Sequence, residues 1–223
     1  MGFWVSIQRG LWAVLLVSAL PVQGWAQAAE KPAAVTPSKF KEVPATAGLL
    51  RQMQAGGFTL YLRHGPTNNS VADRVPTVDL NDCSTQRPLT DAGHALMAKV
   101  GQSMRQARIP IGEFRVSPMC RARDSASAAF PQLTPEVDPL LMYVANFTAN
   151  EKVPVVARTR QLLSHPVPDG VNRLVLAHAP NLMELLGYFP KEGTLVILRP
   201  KGEHLGFDYV ASVLPDAWPS LLK

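Results

Sequence analysis

Short apolar runs alternate with longer segments of helical periodicity along this 223-residue chain, and this alternation constrains its fold more than any other feature. Runs such as "TLYLR" at 59–63 and "RLVLA" at 173–177 have the length and composition of buried strands. Between them, Leu96, Val100 and Met104 recur every four residues and mark one apolar helix face. Strands that alternate with helices predict an α/β domain of three layers, α/β/α, with a mainly parallel sheet.

The individual elements follow from the same pattern. Strands are predicted at 58–63, 114–118 and 173–178, with late strands in "TLVILRP" and "FDYVASVL". Helices are predicted at 46–54, 90–108, 120–130, 149–164 and 181–187. Thr90 is the expected N-cap of the second helix. The segment 71–88 has no clear period, and long loops of this kind in compact domains are usually functional.

The first 28 residues have the pattern of a signal peptide. Arg9 supplies a positive start, and the ten-residue apolar stretch "LWAVLLVSAL" is too short to span a bilayer. The small residues of "GWAQAA" predict cleavage after Ala26 or Ala28. We therefore expect a periplasmic or secreted protein with no stable membrane insertion after cleavage; a short membrane anchor is the alternative. The Pro-rich segment 29–45 is predicted to be an extended linker, and 46–223 the folded domain.

The charge of the chain is mildly basic. The formal net charge is +5, and it falls to +4 without residues 1–28, which carry one Arg and no acidic residue. This balance suits a small anionic substrate. The sequence contains no run of Lys and Arg that would indicate nucleic-acid binding.

Basic residues stand where three predicted strands end. Arg63, His64 and Gly65 follow the first strand, Arg121 follows the strand at 114–118, and His178 ends the run "RLVLAH". Ligands of open α/β sheets bind at the carboxyl ends of strands. If these strands are parallel neighbours, two imidazoles and two guanidiniums converge in one pocket. Guanidinium groups match the oxygens of a phosphate, and helix N-termini add N–H donors.

Four segments carry a resemblance to a known family. "LYLRHGPT", "PLTDAG", "SPMCRARDSA" and "VLAHAPNL" occur in the order and spacing of the histidine phosphatase superfamily, which has the phosphoglycerate mutase-like fold. The resemblance covers roughly 56–223. It implies a phosphomonoesterase that needs no metal or other cofactor and forms a phosphohistidine intermediate on His64, and the predicted signal peptide makes this an exported enzyme. The alternative is a module that binds a phosphorylated ligand with weak or no catalysis.

The resemblance also implies residue roles. His64 would be the nucleophile, with one ring nitrogen held by a local backbone carbonyl and with a pKa lowered by the nearby guanidiniums. Arg63, Arg121 and His178 would bind the phosphoryl oxygens and stabilise the transition state. Gly65 would let the chain turn closely beside the phosphate.

Two further residues are candidate substrate contacts. The Thr67 hydroxyl is expected to reach a phosphate oxygen, with an ordinary turn hydroxyl as the alternative. Arg87 is expected at the pocket rim, with a salt bridge to a loop acid as its alternative.

The general acid is the least defined member of the predicted site. Mutase-like relatives carry a Glu about thirty residues after the Arg motif, which favours Glu151; Glu192 and Asp82 are rivals. Some small bacterial phosphohistidine phosphatases lack an obvious acid. Two positions depart from known branches: Ser70 replaces the Asn of the mutases, and Ala179 replaces the Asp of the acid phosphatases. The substrate is expected to be a small phosphorylated molecule, with a phosphohistidine protein or a lipopolysaccharide core heptose phosphate as candidate classes.

The two cysteines, Cys83 and Cys120, flank segments that are expected to meet at this site. Export to an oxidising compartment permits a disulfide between them. The bridge would close a loop of about 37 residues and contribute about 3–4 kcal/mol. We favour the bridge over two unpaired buried thiols. Two cysteines without a Cys/His cluster predict no metal site.

Overall fold

The computed structural model describes residues 40–75 and 78–223, so the predicted signal peptide and most of the predicted linker lie outside the described residues. The helices are Ala47–Ala55 (α1), Asp91–Gln106 (α2), Cys120–Ala129 (α3), Ala149–Ser164 (α4), Ala179–Leu186 (α5) and Trp218–Leu221 (α6). The strands are Thr59–Arg63 (β1), Ile111–Val116 (β2), Glu136–Val137 (β3), Asn172–Ala177 (β4), Leu195–Pro200 (β5) and Phe207–Val213 (β6). The predicted elements are all present, within a few residues at their ends.

The strands form one six-stranded sheet in the order β3-β2-β4-β1-β5-β6. The first four strands of that order are mutually parallel, and β5 is antiparallel to both of its neighbours, β1 and β6. At the carboxyl end of β4, Ala177 pairs with Arg63 of β1 and Leu176 pairs with Val116 of β2. The chain therefore leaves β1, β2 and β4 at the same edge of the sheet, as the predicted fold class requires.

Both faces of the sheet are covered by helices. Leu60 and Leu62 of β1 pack in one apolar core that is shared with α1, α2, α3 and α6. Tyr61, between them in sequence, packs on the other face in a core with residues of α4 and α5. This alternation is the period-two pattern of a strand that is buried on both faces. The three-layer α/β/α arrangement is confirmed. Among the described residues, none of the helices is long and apolar enough to cross a membrane.

Helix α2 lies unusually close to its neighbours. A side chain at Gly101 would place its Cβ 1.9 Å from the carbonyl oxygen of Ala129 in α3, and one at Gly93 would lie 2.3 Å from that of Pro66. Thr90 caps the helix by accepting a 2.9 Å hydrogen bond from the N–H of Gly93. These contacts hold α2 against the segment that follows β1, where the predicted site begins.

The end of the predicted linker belongs to the folded domain. Ser212 in β6 donates its N–H to the carbonyl of Val43 (2.8 Å) and accepts from the N–H of Ala45 (3.0 Å). The ring of Phe40 stacks on Tyr188 with centroids 4.2 Å apart. The domain therefore begins by residue 40 rather than at 46, because an extended segment pairs with the edge strand and uses its free backbone groups.

Candidate active site

The predicted basic residues meet at the carboxyl edge of the parallel strands. His64 follows β1, Arg121 lies in the first turn of α3 after β2, and His178 is the N-cap of α5 after β4. The rings of the two histidines stand edge to face with centroids 5.3 Å apart. His64, Arg121 and His178 are at most 1% exposed. The parallel order of β2, β4 and β1 is what brings them together.

His64 is held as a neutral imidazole. Its Nδ1 lies 2.8 Å from the carbonyl oxygen of Gly65. A carbonyl only accepts hydrogen bonds, so Nδ1 carries the ring proton and Nε2 keeps its lone pair. Burial, and after it the positive charge of Arg121, lowers the pKa of His64 to about 3. The ring is thus in the protonation state and tautomer that a nucleophile needs.

His178 is arranged as a neutral hydrogen-bond donor. Its Nε2 lies 2.7 Å from the hydroxyl of Ser117, which also accepts the N–H of Met119. With the Ser117 hydroxyl as the donor to Nε2, the proton of the neutral ring is on Nδ1, which has no partner among the described residues. Burial, followed by the charge of Arg121, holds its pKa well below the ordinary value. The hydroxyl of Tyr61 fixes the backbone of His178 by donating to its carbonyl and accepting its N–H.

Several buried nitrogen atoms of this cluster have no hydrogen-bond partner within residues 40–75 and 78–223. They are Arg63 Nε, Arg87 Nε, Arg121 Nε, Arg121 Nη2 and His178 Nδ1. Buried polar groups are nearly always paired, so a group of unpaired donors indicates a ligand site. Guanidinium and imidazole donors together suit an anion with several oxygen atoms, such as a phosphoryl group.

Glu192 lies beside this donor cluster. Its Oε1 is 3.4 Å from Arg63 Nη2 and 3.4 Å from the hydroxyl of the buried Thr67. Arg63 is fixed further by donating Nη1 to the carbonyl of Pro190 (2.6 Å) and by lying over the ring of Phe189. Of the three carboxylates considered from sequence, Glu192 is the one that contacts the predicted site residues.

The other two carboxylates cap helices. Glu151 is exposed and accepts the N–H and the hydroxyl of Thr148 at 2.7 and 2.8 Å, which completes a capping box at the start of α4. These hydrogen bonds lower the pKa of Glu151. Asp82 is also exposed and accepts the N–H of Ser84 at 2.9 Å, as the N-cap of a short helix. Both carboxylates therefore serve as local helix caps.

Gly65 is required for packing against α2. A Cβ at this position would lie 2.8 Å from Met97 Cγ and 2.9 Å from the carbonyl oxygen of Gly93. Its N–H donates to the hydroxyl of Ser125, which in turn donates to the carbonyl of Arg121. Ser125 therefore ties the segment that carries His64 to the helix that carries Arg121. Sequence reasoning missed Ser125, although it lies inside "SPMCRARDSA".

The loop 66–88 is fastened to the start of α3. Cys83 and Cys120 form a disulfide with Cα atoms 5.7 Å apart. Gln86 accepts the N–H of Cys120 at 2.8 Å, and Arg123 donates to the carbonyl of Leu80 at 3.0 Å. Gln86 was not predicted to matter. These contacts tie the segment 80–86 to the first turn of α3.

Two further residues of the site were also missed from sequence. Asp73 forms an ion pair with Arg121 at 2.8 Å, and Arg87 donates its backbone N–H to the same carboxylate oxygen. The ring of Tyr143 faces the Arg121 guanidinium at 4.9 Å and the ring of His178 at 5.5 Å. Both residues come from irregular segments, where no periodicity marks a position.

An open, charged cleft of about 480 Å³ adjoins the donor cluster. It is lined by Arg63, Pro66, Asn69, Arg87, Lys191 and Glu192. The Arg87 side chain lines this cleft, with its Nη1 3.4 Å from Asn69 Oδ1. A substrate whose phosphoryl group met the cluster would place its remaining atoms here. In the part of the chain that the structure describes, no group of three or more His, Cys, Asp or Glu side chains is placed to hold a metal.

Comparison with known proteins identifies the fold. No family model and no curated protein matches the sequence. Among solved structures, the protein histidine phosphatase SixA complexed with tungstate matches with a TM-score of 0.50 and 17% identity, over 71% of this chain and 97% of that chain. The putative phosphohistidine phosphatase SixA from Nakamurella multipartitia matches with a TM-score of 0.49 and 18% identity, over 72% and 98%.

The chain has the phosphoglycerate mutase-like α/β fold, which it shares with the histidine phosphatase SixA. The other solved structures that it matches include an α-ribazole phosphatase from Shigella flexneri, with 13% identity over 71% of this chain and 96% of that chain and a TM-score of 0.45. The predicted fold class is confirmed.

Proposed function

We propose that this protein is a histidine-type phosphomonoesterase with His64 as its nucleophile. The observation that carries the proposal is the set of unpaired guanidinium and imidazole donors beside a neutral imidazole whose Nε2 lone pair is available. An anion-binding cluster next to a nucleophile suits phosphoryl transfer. The shared fold with a histidine phosphatase that binds tungstate supports it.

The reaction has two displacements at phosphorus. Nε2 of His64 attacks, an N–P bond forms, and the ester P–O bond breaks, with the electron pair and a proton going to the leaving oxygen. Water then attacks phosphorus and gives a proton to the Glu192 carboxylate, which restores the acid; the N–P bond breaks, its electron pair returns to Nε2, and inorganic phosphate leaves. Arg63, Arg121 and His178 donate to the phosphoryl oxygens throughout and offset the charge that develops on them. Glu192 is the proposed proton donor to the leaving group.

The substrate is proposed to be a small phosphomonoester with a polar remainder. The cavity beside the cluster is lined by charged side chains of both signs, including Arg87, Lys191 and Glu192. A sugar phosphate, for example a phosphorylated heptose, has the hydroxyl groups that such a lining can bind. A phosphohistidine side chain of a protein is the other candidate class.

Export is part of the proposal. The pattern of residues 1–28 predicts a signal peptide, and a disulfide between Cys83 and Cys120 suits an oxidising compartment. Sequencing of the N-terminus of the exported protein should begin after Ala26 or Ala28. A protein that stays in the cytoplasm and retains Met1 would contradict this part of the proposal.

A steady-state assay tests the proposed activity. The purified protein should hydrolyse an aryl phosphate in the presence of EDTA, and His64→Ala should lower kcat at least about a thousandfold. His204→Ala is the control, because His204 is exposed and lies outside the cluster. Vanadate binding without hydrolysis would favour a binding module, and loss of activity with EDTA would contradict the mechanism.

A further inference from the structure

Asp73 and Arg121 form a buried ion pair at the centre of the site. Their atoms Oδ1 and Nη1 are 2.8 Å apart, and the two side chains are 5% and 0% exposed. The same Oδ1 accepts the backbone N–H of Arg87 at 2.8 Å, which anchors the carboxylate to the loop. The pair is therefore held from both sides, with little freedom to rotate.

The ion pair uses only part of the Arg121 guanidinium. Its Nη1 faces Asp73, whereas Nε and Nη2 have no partner among the residues that the structure describes. The Nε–Nη2 edge of a guanidinium can donate two parallel hydrogen bonds to two oxygens of one phosphoryl group. The face of the group lies over the Tyr143 ring, which limits tilting. The Nε–Nη2 edge of Arg121 is thus available to a ligand, whereas Asp73 and Tyr143 hold the rest of the guanidinium in place.

We propose that Asp73 is a positioning residue, which holds Arg121 so that its Nε–Nη2 edge meets the phosphoryl oxygens of the substrate. This inference rests on the proposed phosphatase function. The opposite interpretation is that Asp73 competes with the substrate for the Arg121 guanidinium. It is disfavoured because the carboxylate occupies one amino group only and is tied to the Arg87 backbone.

Substitution of Asp73 separates the two readings. Asp73→Ala should lower kcat/KM for an aryl phosphate and raise the Ki of orthovanadate, each by about tenfold to a hundredfold, because a misplaced binding group costs rates of this order. Asp73→Asn keeps an oxygen that can accept both hydrogen bonds, so kcat/KM and the vanadate Ki should each change by only about fivefold. A competing carboxylate would give the reverse, with tighter vanadate binding in Asp73→Ala.

A double-mutant cycle shows whether Asp73 acts through Arg121. In an Arg121→Lys background, Asp73→Ala should change the vanadate Ki by about twofold or less. The full effect in that background would overturn the proposal. Asp79→Ala is the matched control, because Asp79 is an exposed residue of the same loop that accepts the N–H of Asn81 and does not contact Arg121.

The outcomes separate failure of this inference from failure of the proposed function. A wild-type protein that hydrolyses no phosphomonoester would contradict the function, and vanadate binding would still report on Asp73. An active wild type with unchanged kinetics and vanadate Ki in Asp73→Ala would overturn the inference alone. Thermal unfolding shows whether each variant is folded. If Asp73→Ala is not folded, Asp73→Asn provides the test.

Discussion

The rings of His64 and His178 stand edge to face with centroids 5.3 Å apart, and burial lowers the pKa of both imidazoles and keeps them neutral. The Gly65 carbonyl holds Nδ1 of His64, whereas the Ser117 hydroxyl holds Nε2 of His178. The two rings therefore present opposite atoms, a lone pair on Nε2 of His64 and a proton on Nδ1 of His178. One ring is set to attack an electrophile and the other to donate to an anion.

The role of Glu192 is tested by leaving-group dependence. Glu192→Gln should reduce hydrolysis of an alkyl phosphate by about a hundredfold, because its poor leaving group needs a proton in the transition state. Hydrolysis of an aryl phosphate with a good leaving group should change much less. Glu151→Gln is the matched control and should leave both rates unchanged, since its carboxylate caps α4. Equal losses on both substrates in Glu192→Gln would assign the proton donor elsewhere.

The buried histidines predict a loss of stability in acid. The pKa of His64 is about 3 in the folded protein, whereas an unfolded histidine titrates near 6.5. Between these values the unfolded chain binds a proton that the native state does not. The free energy of unfolding therefore falls as the pH falls through this window, by up to about 1.4 kcal/mol per pH unit for each such histidine.

Urea unfolding between pH 7 and pH 4 measures this slope. His64→Ala should show a shallower pH dependence than the unchanged protein, and the exposed His204→Ala should show the same dependence as the unchanged protein. If His64→Ala has the full slope, the imidazole is not held neutral by its environment.

The disulfide predicts a specific loss of stability. It closes a loop with a sequence separation of 37, for which chain entropy gives a stabilisation of about 4 kcal/mol. Replacing Cys83 and Cys120 together by Ser should lower the free energy of unfolding by about this amount in denaturant titrations. Non-reducing mass spectrometry should show the two cysteines linked in protein produced in an oxidising compartment. Two free thiols there would contradict the bridge.

Much of the fold is predictable from sequence because its signals are local. The apolar runs of β1 and β4 and the Thr90 cap of α2 each follow from a few neighbouring residues. The convergence of His64 and His178 was also predictable, since parallel neighbouring strands end at the same edge.

The remaining parts of the site depend on contacts between distant segments. Asp73 reaches Arg121 from a loop without periodicity, across a sequence separation of 48 residues. Glu151 was favoured as the acid by its distance from the Arg motif, but Thr-x-x-Glu at 148–151 is also the signature of a capping box. The distance along the chain could not choose between these roles, whereas the hydrogen bonds of Glu192 to Arg63 and Thr67 distinguish it in space.

The most direct test of the central claim is to trap the intermediate. The protein is mixed with a phosphomonoester, quenched in alkali on the millisecond scale, and digested for mass spectrometry under conditions that preserve phosphohistidine. The account predicts phosphate on His64, formed and lost at rates that match turnover, and no such species in His64→Ala. An active protein that carries phosphate on another residue, or none at any time during turnover, would contradict it.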